Sequence, residues 1–229
     1  MYFDPLYIII TLPALLLSVI ASTLVKSTFK KYSQVGVSSG MTGAQAAAMM
    51  LAKSGTNDVK IGKSRGLLSD HYDPTSKTLR LSNDVYNSKS LSAIGVACHE
   101  AGHALQDAQG YKPLAWRSAL VPVTQFGSSF SYFFILGGML FQIAPLIKIG
   151  IVLFSAAVLF SIVTLPVEWD ASRRAKLQMV ECGIVTQKES EASGKVLNAA
   201  FLTYIAAAAS ALLTLLYYLI RSGLLGSRD

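Results

Sequence analysis

Four stretches of this chain carry no Asp, Glu, Lys or Arg: residues 5–25, 118–147, 149–167 and 196–220, which are 21, 30, 19 and 25 residues long. A helix needs roughly 20 apolar residues to cross about 30 Å of hydrocarbon, so each stretch is of membrane length. The second is interrupted by Gln125, Ser128, Ser129 and Gln142, and a span of about 22 residues is expected within it. A buried core helix could account for one such stretch, but four leave too little other chain to cover them. Only 14% of the residues are charged, against about 25% in soluble domains, and the whole deficit lies in these stretches. A fifth uncharged stretch, residues 32–52, is rich in Ser, Gly and Gln and is not apolar enough to span. The pattern excludes a soluble globular protein, a disordered chain and a disulfide-rich secreted module.

The first stretch is expected to be a retained anchor and not a cleaved signal, because the residues before it, Met-Tyr-Phe-Asp, hold no basic group. Lys and Arg then predict the orientation. Lys26, Lys30, Lys31, Lys112, Arg117, Arg173, Arg174, Lys176, Lys188 and Lys195 flank the two longer loops, whereas Lys148, Arg221 and Arg228 lie on the other side. Both loops are therefore expected in the cytoplasm and both termini outside. The net charge of +7 is mostly this topology signal, and no aromatic-interleaved basic patch points to nucleic acid. Cys98 and Cys182 have no metal-ribbon spacing and read as buried, reduced thiols. The expected order is a first transmembrane helix (1–25), a cytoplasmic region (26–117), transmembrane helices two and three (118–167), a cytoplasmic helical segment (168–195), and a fourth transmembrane helix with a tail (196–229).

In the first loop, Thr42 and Gln45 have capping-box spacing and open a helix that Gly55 is placed to end. Residues 59–61 suit a short strand. Residues 67–73 and 78–82, separated by the polar turn 74–77, read as a β-hairpin. A helix rich in Ala and Gly is expected from Ser90 to about Ala108. In the second loop, residues 171–181 continue the third span as a helix ended by Gly183, and another helix starts near Glu189. There is no internal repeat or low-complexity linker.

The 90–108 helix contains His99-Glu100-Ala101-Gly102-His103, the HExxH pattern. Residues four apart share a helix face, so two imidazoles can converge on one metal. Glu100 lies about 100° around the helix, where it can reach a water without occupying a coordination position. Two of the three His residues in the chain fill this pattern. A catalytic zinc needs a third protein ligand and an open position. No other Cys or His is well placed, and His71 lies in the hairpin. Glu168, the first charge after the third stretch, emerges on the same side as the two His residues. Asp170 competes with it, or orients a metal-bound His.

Asp70-His71-Tyr72-Asp73-Pro74, the His99–His103 pattern and Pro166-Val167-Glu168-Trp169-Asp170-Ala171-Ser172 together resemble the YugP-type neutral zinc metallopeptidases of bacterial membranes, along nearly the whole chain. That family resembles, more distantly, the HtpX-type and CaaX prenyl membrane proteases, in which a Glu ligand opens a Glu-x-x-x-Asp motif on a later helix. The resemblance implies a mainly α membrane protein with four transmembrane helices and a small zincin-like α+β cytoplasmic portion. It implies a gluzincin-like zinc peptidase of the bacterial inner membrane, with Zn²⁺ on His99, His103 and Glu168 and with Glu100 as general base. Ser172 stands where those relatives have Asp, so Asp170 or Ser172 takes that role. Oxyanion donors are sought among His71, Tyr72, Arg173 and Arg174. A hydrogen-bonded structural role is as well supported for His71, and headgroup anchoring is better supported for the arginines. By analogy with zincin-like folds, residues 67–72 are the edge on which an extended substrate adds. The expected partners are the bilayer and a protein or peptide held near the inner leaflet. A non-enzymatic scaffold with structural zinc is the alternative. A transporter is disfavoured, because no span carries a charge.

Overall fold

The computed structural model describes residues 4–66 and 69–225. Its elements in chain order are α1 (Pro5–Ser33), α2 (Gly43–Lys53), β1 (Lys60–Lys63), β2 (His71–Asp73), β3 (Thr78–Leu81), α3 (Asn83–Tyr86), α4 (Leu91–Ala108), α5 (Lys112–Leu140), α6 (Ala144–Glu181) and α7 (Gln187–Arg221). Among the described residues α1, α5, α6 and α7 are long and apolar enough to cross a membrane, one for each uncharged stretch. The described residues form two compact units. One takes the chain up to Ala21, Trp116–Leu165 and the residues from Thr203 on; the other takes Ser22–Ala115 and Pro166–Leu202.

In the first unit α5 ends at Leu140 and α6 begins at Ala144. Gln142, in the connection, has a positive φ of 56°, so this polar residue belongs to the turn and not to a span. The hairpin is tight because of glycine. A Cβ on Gly150 would come within 2.9 Å of the Ile135 backbone nitrogen, and one on Gly138 within 2.8 Å of the Ile147 nitrogen. Ser129 donates to the Gln125 carbonyl of its own helix. In the same unit Tyr217 donates to Asp4 at 3.0 Å.

The second unit is built around α4. Thr42 and Gln45 cap α2 reciprocally, and the hydroxyl of Ser90 accepts from the Ala93 amide to start α4. The expected hairpin forms with β2 antiparallel to β3, pairing His71 with Arg80 and Tyr72 with Leu79. Asp73 ties its turn by accepting from the Thr75 amide and the Ser76 hydroxyl. β1 pairs parallel to β3, which gives the strand order β1-β3-β2 among the described residues. Alternation in Thr78-Leu79-Arg80-Leu81 turns Leu79 and Leu81 into a core with Met50, Val85, Ile94, Ala97, Leu105, Met179 and Ile184. Four Ala residues of α4 are fully buried, so neighbours approach that helix closely on several sides. α7 starts slightly earlier than the sequence suggests. Thr186 and Glu189 form a reciprocal cap, with the Glu189 amide donating to the Thr186 hydroxyl and the Thr186 amide to the Glu189 carboxylate.

Candidate metal centre

α4 carries both imidazoles one turn apart. Their rings meet edge to face, with centroids 4.8 Å apart. α6 brings the carboxylate. A Cβ on Gly102 would lie 2.7 Å from the Ala171 carbonyl oxygen, so only glycine allows α4 and this part of α6 to come so close. That contact places Glu168 against the His pair. Its Oε2 lies 3.1 Å from His99 Nε2 and its Oε1 lies 3.6 Å from His103 Nε2. Glu168 is 1% exposed and His103 is buried. A carboxylate so deeply removed from water requires compensating positive charge or a metal.

The donor set fits zinc. One ligand atom from each of His99, His103 and Glu168 lies within 4.8 Å of the others. Two donors each about 2.1 Å from a tetrahedral ion are separated by about 3.4 Å, and each imidazole lies at a distance of that size from one of the two Glu168 oxygens. Two imidazoles and one carboxylate form the three-ligand set of catalytic zinc sites, which keep a fourth position open.

The outer partners of the two His residues differ. Ser172 Oγ lies 3.1 Å from His99 Nδ1, so the serine occupies the place for which the sequence offered two candidates. Asp170 lies outside the cluster of His99, His103 and Glu168, and it accepts from Gln106 at 3.0 Å, from Arg173 at 3.2 Å and from Arg174. Gln106, which the sequence reading passed over, lies 3.0 Å from His103 Nδ1 through its amide oxygen. The available signal was its position three residues after His103, one helical turn on along the same face.

Glu100 lies beside the cluster, where one carboxylate oxygen accepts from the Tyr72 backbone N–H at 3.0 Å. This bond joins the HExxH helix to β2, an edge strand. Residues 67 and 68 of the expected edge lie outside the described residues, and the expectation is carried by His71 and Tyr72. His71 Nδ1 is engaged by the Ser69 carbonyl at 2.8 Å, in keeping with a structural role. The Tyr72 hydroxyl donates to Asp107 at 2.8 Å. Burial and that carboxylate push its pKa well above the ordinary phenol range. Arg174 is committed to Asp170 and Gln109, and Arg173 is exposed beyond its contact with Asp170.

Residues 7–223 match the family described as "Putative neutral zinc metallopeptidase". The chain is 49% identical over 213 residues to "Putative membrane protease YugP" of Bacillus subtilis (strain 168), covering 93% of this chain and 95% of that protein. No solved structure matches.

Proposed function

The chain belongs to the neutral zinc metallopeptidase family, and on that premise we propose that it is an integral-membrane zinc endopeptidase that cleaves membrane or membrane-proximal proteins at the cytoplasmic face. The observation that carries the reading is the convergence of His99, His103 and Glu168 from two separate helices to within 4.8 Å. These three residues would hold the ion. When bound, zinc supplies a water acidified to a pKa of about 7 and polarises the scissile carbonyl. The Glu100 carboxylate would accept a proton from the attacking water and pass it to the leaving amine nitrogen. His99 and His103 hold their positions through Ser172 and Gln106.

The edge position of β2 supports the binding of an extended peptide by strand addition, with the Tyr72 N–H then shared between Glu100 and substrate. The cytoplasmic side rests on the ten-to-three distribution of Lys and Arg. Glu168 directly follows an uncharged stretch on one continuous helix, which favours substrates held near the bilayer surface.

The test is Glu100→Gln in the purified full-length protein, with zinc measured by elemental analysis and hydrolysis measured on unfolded and membrane-anchored polypeptides. The expected result is retained zinc with hydrolysis reduced roughly 10²–10⁴-fold. Zinc bound by the unaltered protein with no cleavage of any such substrate would favour the scaffold.

A further inference from the structure

We propose that Gln106 is a positioning residue that commits His103 to the tautomer able to bind a metal, an inference that rests on the zinc-peptidase reading. Gln106 is fully buried, and its surroundings distinguish the two ends of its amide. The nitrogen lies 2.9 Å from the Val167 carbonyl oxygen and 3.0 Å from Asp170 Oδ2. The Val167 carbonyl oxygen can only accept, which sets the amide nitrogen on that side, and Asp170, which also accepts from Arg173 and Arg174, takes the other N–H. Both N–H groups of the amide are thereby used, and a flipped amide would set its oxygen against two acceptors.

The amide oxygen is left facing His103 Nδ1 at 3.0 Å. That oxygen has no proton to give, so Nδ1 must carry one. With Nδ1 occupied by that proton, Nε2, the atom 3.6 Å from the Glu168 carboxylate, is the nitrogen through which His103 can offer a lone pair to a metal. The chain Arg173/Arg174–Asp170–Gln106–His103 thus selects the protonation pattern of one ligand. Val167 and Asp170 flank Glu168 in sequence, so the same amide also fixes the register of the third ligand against α4. At Nδ1 His99 has no such constraint, because that atom faces the Ser172 hydroxyl, which can donate or accept.

The experiment uses full-length protein in detergent micelles, labelled with ¹⁵N-histidine. The chain has three His residues, and single His substitutions assign their signals. In the unaltered, zinc-free protein His103 is expected to carry its proton on Nδ1. In Gln106→Met, which keeps the length and removes the hydrogen bonds, His103 is expected to shift toward the Nε2–H tautomer. Its zinc affinity, measured by chelator competition, should fall roughly 10–100-fold. An Nδ1 of His103 found without a proton in the unaltered protein would overturn the assignment, and that measurement decides even if Gln106→Met does not fold. A folded Gln106→Met with an unchanged tautomer and zinc affinity within about twofold of the original would overturn it as well. The expected tautomer and affinities in a protein that cleaves no peptide would remove the peptidase and leave the role of Gln106 standing.

Discussion

Glu168 and Asp170 are two positions apart on α6 and have opposite surroundings. One faces two imidazoles; the other faces an amide and two guanidinium groups. Glu168→Ala removes a ligand and should weaken zinc beyond the roughly 10–100-fold cost of losing an outer partner. Asp170→Ala removes only an outer partner and should stay within that range. Elemental zinc and chelator competition on both variants provide the comparison, and the opposite order would reassign the third ligand. The three residues that converge, His99, His103 and Glu168, were legible in the sequence, the two His through helical spacing and Glu168 through its place after the third stretch. Ser172 stood as one of two candidates, since a hydroxyl can replace a carboxylate as the partner of an imidazole. For Gln106 the spacing from His103 was the one local signal, and its full role depends on which carbonyl and which carboxylate another helix presents to it, which no spacing within one segment encodes.

At the scale of elements, the contact between α4 and α6 decides whether the ligands meet. Gly102 lies within the HExxH pattern, where the chemistry of the pattern leaves the residue type open. A methyl group at that position would collide with the Ala171 carbonyl, a backbone atom that cannot rotate away. Gly102→Ala should cost about 1–3 kcal/mol in thermal or denaturant unfolding, as overpacking does. It should also lower zinc affinity, because Glu168 rides on the displaced segment. Gly183, at a helix end with a positive φ, is not offered as the control. Gly137, where a Cβ would meet nothing within 4 Å, is the informative comparison: Gly137→Ala should leave zinc affinity unchanged. Elements with a local signature were readable. The α2 cap, the β2–β3 hairpin and the Ser90 start of α4 each follow from residues a few positions apart. The parallel pairing of β1 with β3 was not, because it joins segments across an intervening strand and needs a partner edge that no local pattern announces. The α5–α6 turn had no fixed place in the sequence for a similar reason: apolar residues continue through it, and Gln142 and the glycine contacts mark the reversal.

The orientation of the whole molecule rests on charge asymmetry, and two positions test it. Four crossings put both termini on one side and put the residues between the first two crossings with those between the last two; His99 and Glu168, separated by the second and third stretches, share a side when both of those cross. Asn87 and Lys148 are both exposed in the fold, so any difference in their reactivity toward a membrane-impermeant thiol reagent reports the bilayer and not local packing. The native cysteines add little background. Cys98 is fully buried and burial pushes its thiol pKa far above the ordinary range, while Cys182 is also buried with its pKa raised; a thiol held protonated is a poor nucleophile. In intact cells Asn87→Cys should stay unlabelled until the membrane is permeabilised, and Lys148→Cys should label at once. The reverse pattern would put the metal centre outside the cell. Labelling of both in intact cells would mean that the stretch between residues 118 and 147 does not cross. In that case Glu168 would need a different route to the His pair, and the membrane-proximal substrate would lose its support along with the topology.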